Sequence, residues 1–274
     1  MVLRIEDLDP RTQSGPWTDL LIEDLAWLGL YWDEGPIYQH ERLVCYEEAL
    51  ARLQAMGLVY PCFCTRAELH AASAPHASDG TPVYAGTCRG LSAAEVAARS
   101  RVRPPALRLR VPEAGDPAGE LCFEDRGYGA QASVLACECG DFLVRRSDGV
   151  FAYQLAVVVD DALMGVNEVV RGSDLLGSVA RQMYLQDVLG YAHPVYGHVP
   201  LLVAPDGRRL AKRNRDLAMD ALRERFGSPE RLLGYVAHLG GLIPDDTPRS
   251  ADELVDLFSW DAVRVHRADI VVAA

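Results

Sequence analysis

Lysine is almost absent from this chain of 274 residues. One of its 27 basic residues, Lys212, is a lysine, and the other 26 are arginines. Arginine is therefore the default cation. A position that keeps lysine marks a place where a compact, mobile point charge is wanted rather than a rigid planar fork. No apolar run approaches the roughly 20 residues needed to span a bilayer, so no membrane role is expected. The first nine residues, Met-Val-Leu-Arg-Ile-Glu-Asp-Leu-Asp, carry charge where a secretion leader needs an apolar stretch. A cytoplasmic location follows as the expectation, and there the seven cysteines are thiols or metal ligands rather than disulfides. Positive charge is also short. The formal net charge of −12 argues against binding nucleic acid non-specifically over the whole surface. It leaves room for a local basic face, and arginines do cluster: Arg99, Arg101, Arg103, Arg108 and Arg110 in one stretch, Arg208 to Arg215 in another. Internal repeats and low-complexity tracts are missing too.

What is present suits a globular fold with a sizeable core: 49% hydrophobic and 24% charged residues. A strand is predicted at 2–5 and an amphipathic helix over 17–30, with Leu20, Leu21, Leu25 and Leu28 near one face. A second helix is predicted from 38 to 56, stopped by Gly57. Residues 61–90, rich in Cys, Pro, Gly, Thr and Ser, read as an irregular insert. Ser92-Ala-Ala-Glu95 is a capping box opening a helix. Strands are predicted at 106–111, 119–123 and 142–145, with a turn at Ser147-Asp-Gly149. Residues 153–161 form a continuous apolar run ending in two acids. A short strand follows at 167–170, a helix at 175–189 and a strand at 199–203. Helices close the chain at 217–226, 229–239 and 251–258, the second announced by Ser228-Pro229. Strands alternating with helices indicate an α/β sheet.

Two places carry chemistry. Cys62-Phe-Cys64 is followed by Tyr84-Ala-Gly-Thr-Cys88. Three thiols and a phenol in a Gly- and Pro-rich stretch can close a tetrahedral zinc site, and a small insert poor in apolar residues is held together by a metal. The alternatives are buried free thiols, or His70 or His76 in place of Tyr84. Cys137-Glu-Cys139 has no third ligand nearby and reads as structural, while Cys45 and Cys122 read as core. The second place is Asp206-Gly-Arg-Arg-Leu-Ala-Lys-Arg213, a turn followed by a basic loop, for which a solvated charge run is the plain alternative.

Read together, Leu3-Arg-Ile-Glu-Asp-Leu-Asp-Pro10, the Cys62/Cys64/Tyr84/Cys88 insert, Asp148-Gly-Val-Phe-Ala-Tyr-Gln-Leu-Ala-Val-Val-Val-Asp-Asp161, Val170-Arg-Gly-Ser-Asp-Leu175 and Arg209-Leu-Ala-Lys-Arg213 resemble the segments found in this order in glutamyl-Q tRNA(Asp) synthetases. These are short paralogues of class I glutamyl-tRNA synthetases. The similarity runs from residue 1 to about residue 240. It implies a Rossmann-type α/β catalytic domain with a zinc-bearing insertion. The expected division is 1–60 for the N-terminal part of the catalytic domain, 61–125 for the insertion, 126–215 for the second half with the lysine loop, and 216–274 for a C-terminal helical segment. The implied partners are glutamate, ATP with Mg²⁺, and queuosine-containing tRNA(Asp), and the implied state is a monomer. Glutamate would be activated to glutamyl-adenylate and then esterified onto queuosine at the wobble position. Only about sixty residues follow Lys212, too few for the anticodon-binding domain of a full glutamyl-tRNA synthetase.

The resemblance also implies roles. Lys212 matches the second lysine of the KMSKS loop and would stabilise charge on the phosphates of ATP. The loop departs from the pattern with Arg209, Ala211 and Arg213. Glu6 would receive the α-ammonium of glutamate, Arg171 would grip its γ-carboxylate, and Tyr153 would offer it a hydroxyl. Asp7 and Asp9 are expected to order the loop after the first strand. Zinc, held by Cys62, Cys64, Tyr84 and Cys88, would be structural, since four protein ligands leave no open position.

One family signature is missing. No His-x-Gly-His motif occurs, and none of His40, His70, His76, His193, His198, His238 and His266 lies in its context. In the family the Leu-Arg-Ile-Glu-Asp strand is the second of the sheet. The first strand and its helix are thus expected to be absent, leaving two strand edges open. A misassigned start at Met1 and a repurposed, non-catalytic paralogue that binds tRNA or glutamate are the two explanations. Little activation of glutamate is expected of the 274-residue chain under either. In a version extended ahead of Met1, Lys212→Ala is expected to abolish glutamate-dependent ATP–pyrophosphate exchange. An extended enzyme that tolerates the change would remove the role given to this lysine.

Overall fold

A computed structural model of the chain describes residues 1–13, 16–71, 83–208 and 219–272, and leaves out the side chains of residues 66, 70 and 71. The chain opens with strand β1 (Val2–Ile5), helix α1 (Trp17–Trp27) and strand β2 (Glu34–Tyr38), which pairs in parallel with β1. Helix α2 (Leu43–Ala55) begins later than the sequence suggests, because a strand and one 3₁₀ turn (Gln39–Arg42) precede it. Its Tyr46, Ala49, Leu50 and Leu53 are buried, at the i, i+3, i+4, i+7 spacing that puts them on one helical face.

Strand β3 (Val59–Cys62) runs into the stretch read as irregular, which also holds α3 (Arg66–Ala71), and α4 (Ala93–Ser100) and β4 (Ala106–Leu109) follow. The capping box forms: Ser92 Oγ accepts from the Glu95 amide at 3.3 Å, and the Glu95 carboxylate accepts from the Ser92 amide at 2.8 Å. Then come β5 (Glu120–Asp125), β6 (Gly129–Val134), the short α5 (Leu135–Glu138) and β7 (Phe142–Arg145). Strands β3, β4 and β7 make an antiparallel sheet in that order.

The apolar run at 153–161 is a helix, α6 (Tyr153–Leu163), with Leu155 to Asp161 all buried. A helix covered on every side carries no amphipathic stripe, so its sequence reads as one continuous apolar run. Strand β8 (Glu168–Gly172), α7 (Val179–Leu189) and β9 (Val195–Val199) complete a β-α-β unit, and β8 and β9 pair in parallel. Short β10 (Leu202–Val203), α8 (Met219–Phe226), α9 (Pro229–Leu239), α10 (Ala251–Leu257), α11 (Trp260–Val263) and β11 (Ile270–Val271) finish the chain. The strand predicted at 199–203 is thus replaced by two, with the main one earlier. No helix among the described residues is long and apolar enough to cross a membrane.

Strands β6, β5, β9 and β8 form a four-stranded sheet in that order. Tyr46, Leu53, Leu109, Leu155, Val159 and Leu185 are among the residues of the main core, in which α2, α6 and α7 pack together. Among the described residues β1 pairs only with β2, and β8 only with β9. Residues of β1 and β8 line one cavity of about 910 Å³.

What holds β1 against α6 is ionic. Asp160 is fully buried and accepts from Gln39 Nε2 (2.9 Å), Arg42 Nε (2.7 Å) and Tyr46 Oη (2.7 Å). Arg4 Nε stands 3.9 Å from the same carboxylate, and Arg4 Nη1 donates to Asp161 Oδ1 at 2.7 Å. Removing one partner of a buried pair strands the others at about 3–5 kcal/mol. Asp160→Ala is therefore expected to lower the unfolding free energy by about that amount. Urea denaturation followed by circular dichroism checks it, and an unchanged midpoint would show the network to be dispensable.

Candidate functional site

The cavity takes its polar wall from three elements. Strand periodicity puts Arg4 and Glu6 two residues apart on β1 and the loop just after it, and both line the cavity. Helix α6 contributes Tyr153, Val157 and Asp161, spaced by four so that they lie along one face. Strand β8 contributes Arg171 at its carboxyl end. Arg4 is charge-compensated: besides Asp161, its Nη2 lies 3.5 Å from Glu6 Oε1. Burial pushes the Asp161 carboxyl above the ordinary carboxylate range, against the pull of the Arg4 guanidinium. Desolvation likewise raises the Tyr153 phenol, with Arg171 opposing it.

Arg171 is held differently. Its Nε donates to His198 Nε2 at 3.0 Å, its Nη2 donates to the Leu175 carbonyl at 3.2 Å, and the guanidinium stands 5.6 Å from the Tyr196 ring centre. His198 faces it directly in the parallel β8–β9 register. Behind His198, Nδ1 pairs with Asp125 Oδ2 at 2.6 Å, and both side chains are fully buried. Asp125 Oδ1 also accepts from the amides of Gly127 (2.9 Å), Tyr128 (2.9 Å) and His198 (3.1 Å). Burial works against this carboxylate, but the bonds from His198 and the backbone amides hold it below its usual range. Residue 127 has to be glycine here, since a Cβ would sit 2.0 Å from the His198 carbonyl oxygen.

The cavity thus brings together Glu6, Tyr153 and Arg171, three of the residues singled out from sequence. Lys212, with Arg209, Ala211 and Arg213, lies outside the described residues. Asp7 is buried and accepts from the His40 amide at 3.0 Å. Asp9 accepts from the Arg11 guanidinium (2.9 Å), the Arg11 amide (3.1 Å) and Arg146 Nη1 (3.0 Å), which pull its carboxyl well below the usual range, so both aspartates order the loop after β1. Sequence reasoning gave no role to Arg4, Asp161 or His198. Arg4 and Asp161 stand inside the motifs quoted above. His198 was hidden because its strand was placed several residues too late.

The thiols of Cys62, Cys64 and Cys88 form one cluster. Cys64 and Cys88 Sγ are 3.7 Å apart, and Tyr84 Oη lies 3.5 Å from Cys62 Sγ and 3.6 Å from Cys64 Sγ. A metal about 2.3 Å from each sulfur and about 2.1 Å from an oxygen, at tetrahedral angles, needs separations of about 3.8 and 3.6 Å. The four groups fit zinc on this geometry. Arg108 Nε reaches Cys62 Sγ at 3.3 Å, and its guanidinium lies 3.9 Å over the Tyr84 ring, a cation placed to offset thiolate charge. Arg108 Nη1 also donates to the Asp141 carbonyl at 2.7 Å. The Asp141 carboxylate is paired with Arg89 and accepts from the Val111 amide, and so ties the cluster to β7. His76 and the side chain of His70 fall outside the described residues. Cys45 is half-buried against the main core, but Cys122 is exposed, contrary to expectation. Strand alternation explains it: Leu121 and Asp125 face inward, and Cys122 points to solvent. Cys139 is buried, which pushes its thiol up to about 11, and Cys137 is exposed.

Comparison with known proteins places this geometry. Residues 1–256 match the family described as tRNA synthetases class I (E and Q), catalytic domain. A glutamyl-Q tRNA(Asp) synthetase of Symbiobacterium thermophilum is 46% identical over 286 aligned residues, covering 100% of this chain and 85% of that protein. A glutamate–tRNA ligase 1 of Halorhodospira halophila is 43% identical over 249 residues, 87% of this chain but 51% of that protein. The crystal structure of a glutamate-tRNA synthetase from Elizabethkingia anophelis superposes with a TM-score of 0.79 at 24% identity. This chain is covered in full and spans 61% of that one, and the likeness is one of fold.

The thiol cluster predicts a measurable metal content. Chain purified with zinc present is expected to hold about one ion per molecule. Cys62→Ser or Cys88→Ser should lose it and melt earlier, while Cys137→Ser should keep it. Atomic emission and thermal denaturation with and without a chelator read both outcomes.

Proposed function

We propose, from the premise that the chain belongs to the class I tRNA synthetases for glutamate and glutamine and within them to the glutamyl-Q tRNA(Asp) synthetases, that it activates glutamate with ATP and passes the glutamyl group to queuosine in tRNA(Asp). It carries the catalytic domain of a tRNA ligase. The observation that carries the finer reading is the cavity with Glu6 at one place and Arg171 at another. Glutamate at neutral pH has one cationic and two anionic groups. Glu6 would take the ammonium, Arg171 the side-chain carboxylate, and the Tyr153 hydroxyl would hydrogen-bond the bound substrate. The remaining α-carboxylate is then the nucleophile. Its oxygen bonds to the α-phosphorus of ATP, the bond to the bridging oxygen breaks, and pyrophosphate leaves. In the second step a queuosine hydroxyl attacks the activated carbonyl, AMP leaves, and an ester remains.

Lys212 would meet the charge that builds on the phosphates, and Mg²⁺ bound with ATP would neutralise part of it. Zinc on Cys62, Cys64, Tyr84 and Cys88 would hold the insertion in shape and take no part in the chemistry. The chain would act as a monomer. Sequence favours queuosine over the tRNA 3′ end, because relatives 46% and 45% identical, one aligned over 100% of this chain, are glutamyl-Q tRNA(Asp) synthetases. The 43% identity to the glutamate–tRNA ligase 1 keeps a second reading, a catalytic portion of a glutamyl-tRNA synthetase.

Two measurements test the proposal. By calorimetry the chain should bind glutamate or a non-hydrolysable glutamyl-adenylate analogue, and Arg171→Ala should weaken this by roughly 10- to 100-fold, the size of a lost charge-assisted contact. Labelled glutamate should then pass to queuosine-containing tRNA(Asp) and not to unmodified tRNA(Asp). Transfer to tRNA(Glu) would favour the second reading, and absence of glutamate binding would remove both.

A further inference from the structure

The cavity holds two arginines, and their surroundings differ. Arg4 is surrounded by carboxylates: Asp161 at 2.7 Å, Glu6 at 3.5 Å and Asp160 at 3.9 Å. The direct contacts of Arg171 among the described residues are with uncharged groups, Asp161 acting on it only through space. These groups are the imidazole of His198, the Leu175 carbonyl, the Tyr153 hydroxyl and the Tyr196 ring. Arg4 is therefore spent on the fold, while Arg171 keeps its charge for whatever enters the cavity.

We propose that His198, fixed by Asp125 as an uncharged acceptor, positions Arg171 for the substrate side chain and thereby sets the preference for a carboxylate over an amide. This rests on the reading of the cavity as a glutamate site. The chain of bonds dictates the tautomer. The Asp125 carboxylate only accepts, so Nδ1 of His198 carries the proton. The Arg171 Nε–H only donates, so Nε2 of His198 presents its lone pair to it. A carboxylate in place of the imidazole would orient Arg171 equally well, but it would cancel the charge that a ligand carboxylate needs. A neutral acceptor orients the guanidinium and leaves its charge in place. Nη2 is steadied by the Leu175 carbonyl, and Arg171 lines the cavity.

The tautomer argument can be tested without touching Arg171. In His198→Asn the side-chain amide still reaches Asp125 but stops short of Arg171. In His198→Gln the Oε1 atom takes the place of Nε2. In Asp125→Asn the carboxamide offers its NH₂ to Nδ1, which drives the proton to Nε2 and sets it against the Arg171 N–H. Glutamate and glutamine affinities are measured by calorimetry for the full chain and each variant, with thermal denaturation as a check of folding. His198→Asn and Asp125→Asn are expected to lose glutamate affinity by on the order of tenfold while ATP affinity is unchanged. The glutamate-to-glutamine ratio should fall with it, and His198→Gln should restore most of it. Loss confined to melting temperature, with glutamate affinity and ratio unmoved, would overturn the proposal. So would equal loss in His198→Gln and His198→Asn when both fold. If the wild-type chain binds no glutamate, the reading of the cavity fails and this inference falls with it. If the wild type binds but discrimination ignores His198, only the inference fails.

Discussion

The salt-bridged pair Asp160–Asp161 at the end of α6 is the constraint on which the rest of the site depends. Two adjacent carboxylates inside a core repel each other and lose their water, so each needs its own cation. Arg42 answers Asp160 from the start of α2, and Arg4 answers Asp161 from β1. The result is a three-element junction. Strand β1 is mostly apolar but buries little of that surface, Ile5 being its one buried residue. Its place is therefore set by charge, and with it the position of Glu6 relative to Tyr153 and Arg171. The helix that carries the acids at its end carries Tyr153 at its beginning, so docking and ligand binding are read from the same face of α6.

Much of this was legible because it is local. The Ser92 capping box, the Ser228-Pro229 helix start and the strand at Phe142–Arg145 are set by neighbours a few residues apart, and they appear where the sequence predicts them. The run ending in Asp160 and Asp161 advertised itself by apolar content, though its helical form needs the surrounding core to explain it. Strand β9 was misplaced because Val195-Tyr-Gly-His-Val199 carries a glycine and a histidine at its centre, both poor strand signals. Gly197 is needed because the Trp260 ring approaches within 2.3 Å of where its Cβ would be, a fact of tertiary packing. His198 earns its place through Asp125, 73 residues away, and Arg4 through Asp161, 157 residues away. Such pairings leave no periodic trace.

The thiol cluster and the cavity show two ways of managing charge. Around Cys62, Cys64 and Cys88 several potential anions converge, and Arg108 is brought in under Tyr84 to balance them. In the cavity the opposite is arranged, with one cation supported by neutral groups. The near-total replacement of lysine by arginine suits both, because each place uses the planar fork to satisfy two or three partners at fixed angles.

The strand edges left unpaired among the described residues, on β1 and β8, have a consequence of another kind. Residues 1–4 and 165–171 line the cavity as continuous stretches of chain, which brings their peptide groups close to that wall along with their side chains. Peptide N–H and C=O groups are common to all sequences apart from proline. Mutation can reshape the cavity at Glu6, Tyr153 or Arg171, but it cannot erase the polar lattice between them. Drift in sequence therefore alters which molecule fits while the capacity to hold something hydrogen-bonding persists, and a site of this construction is easier to retune than to lose.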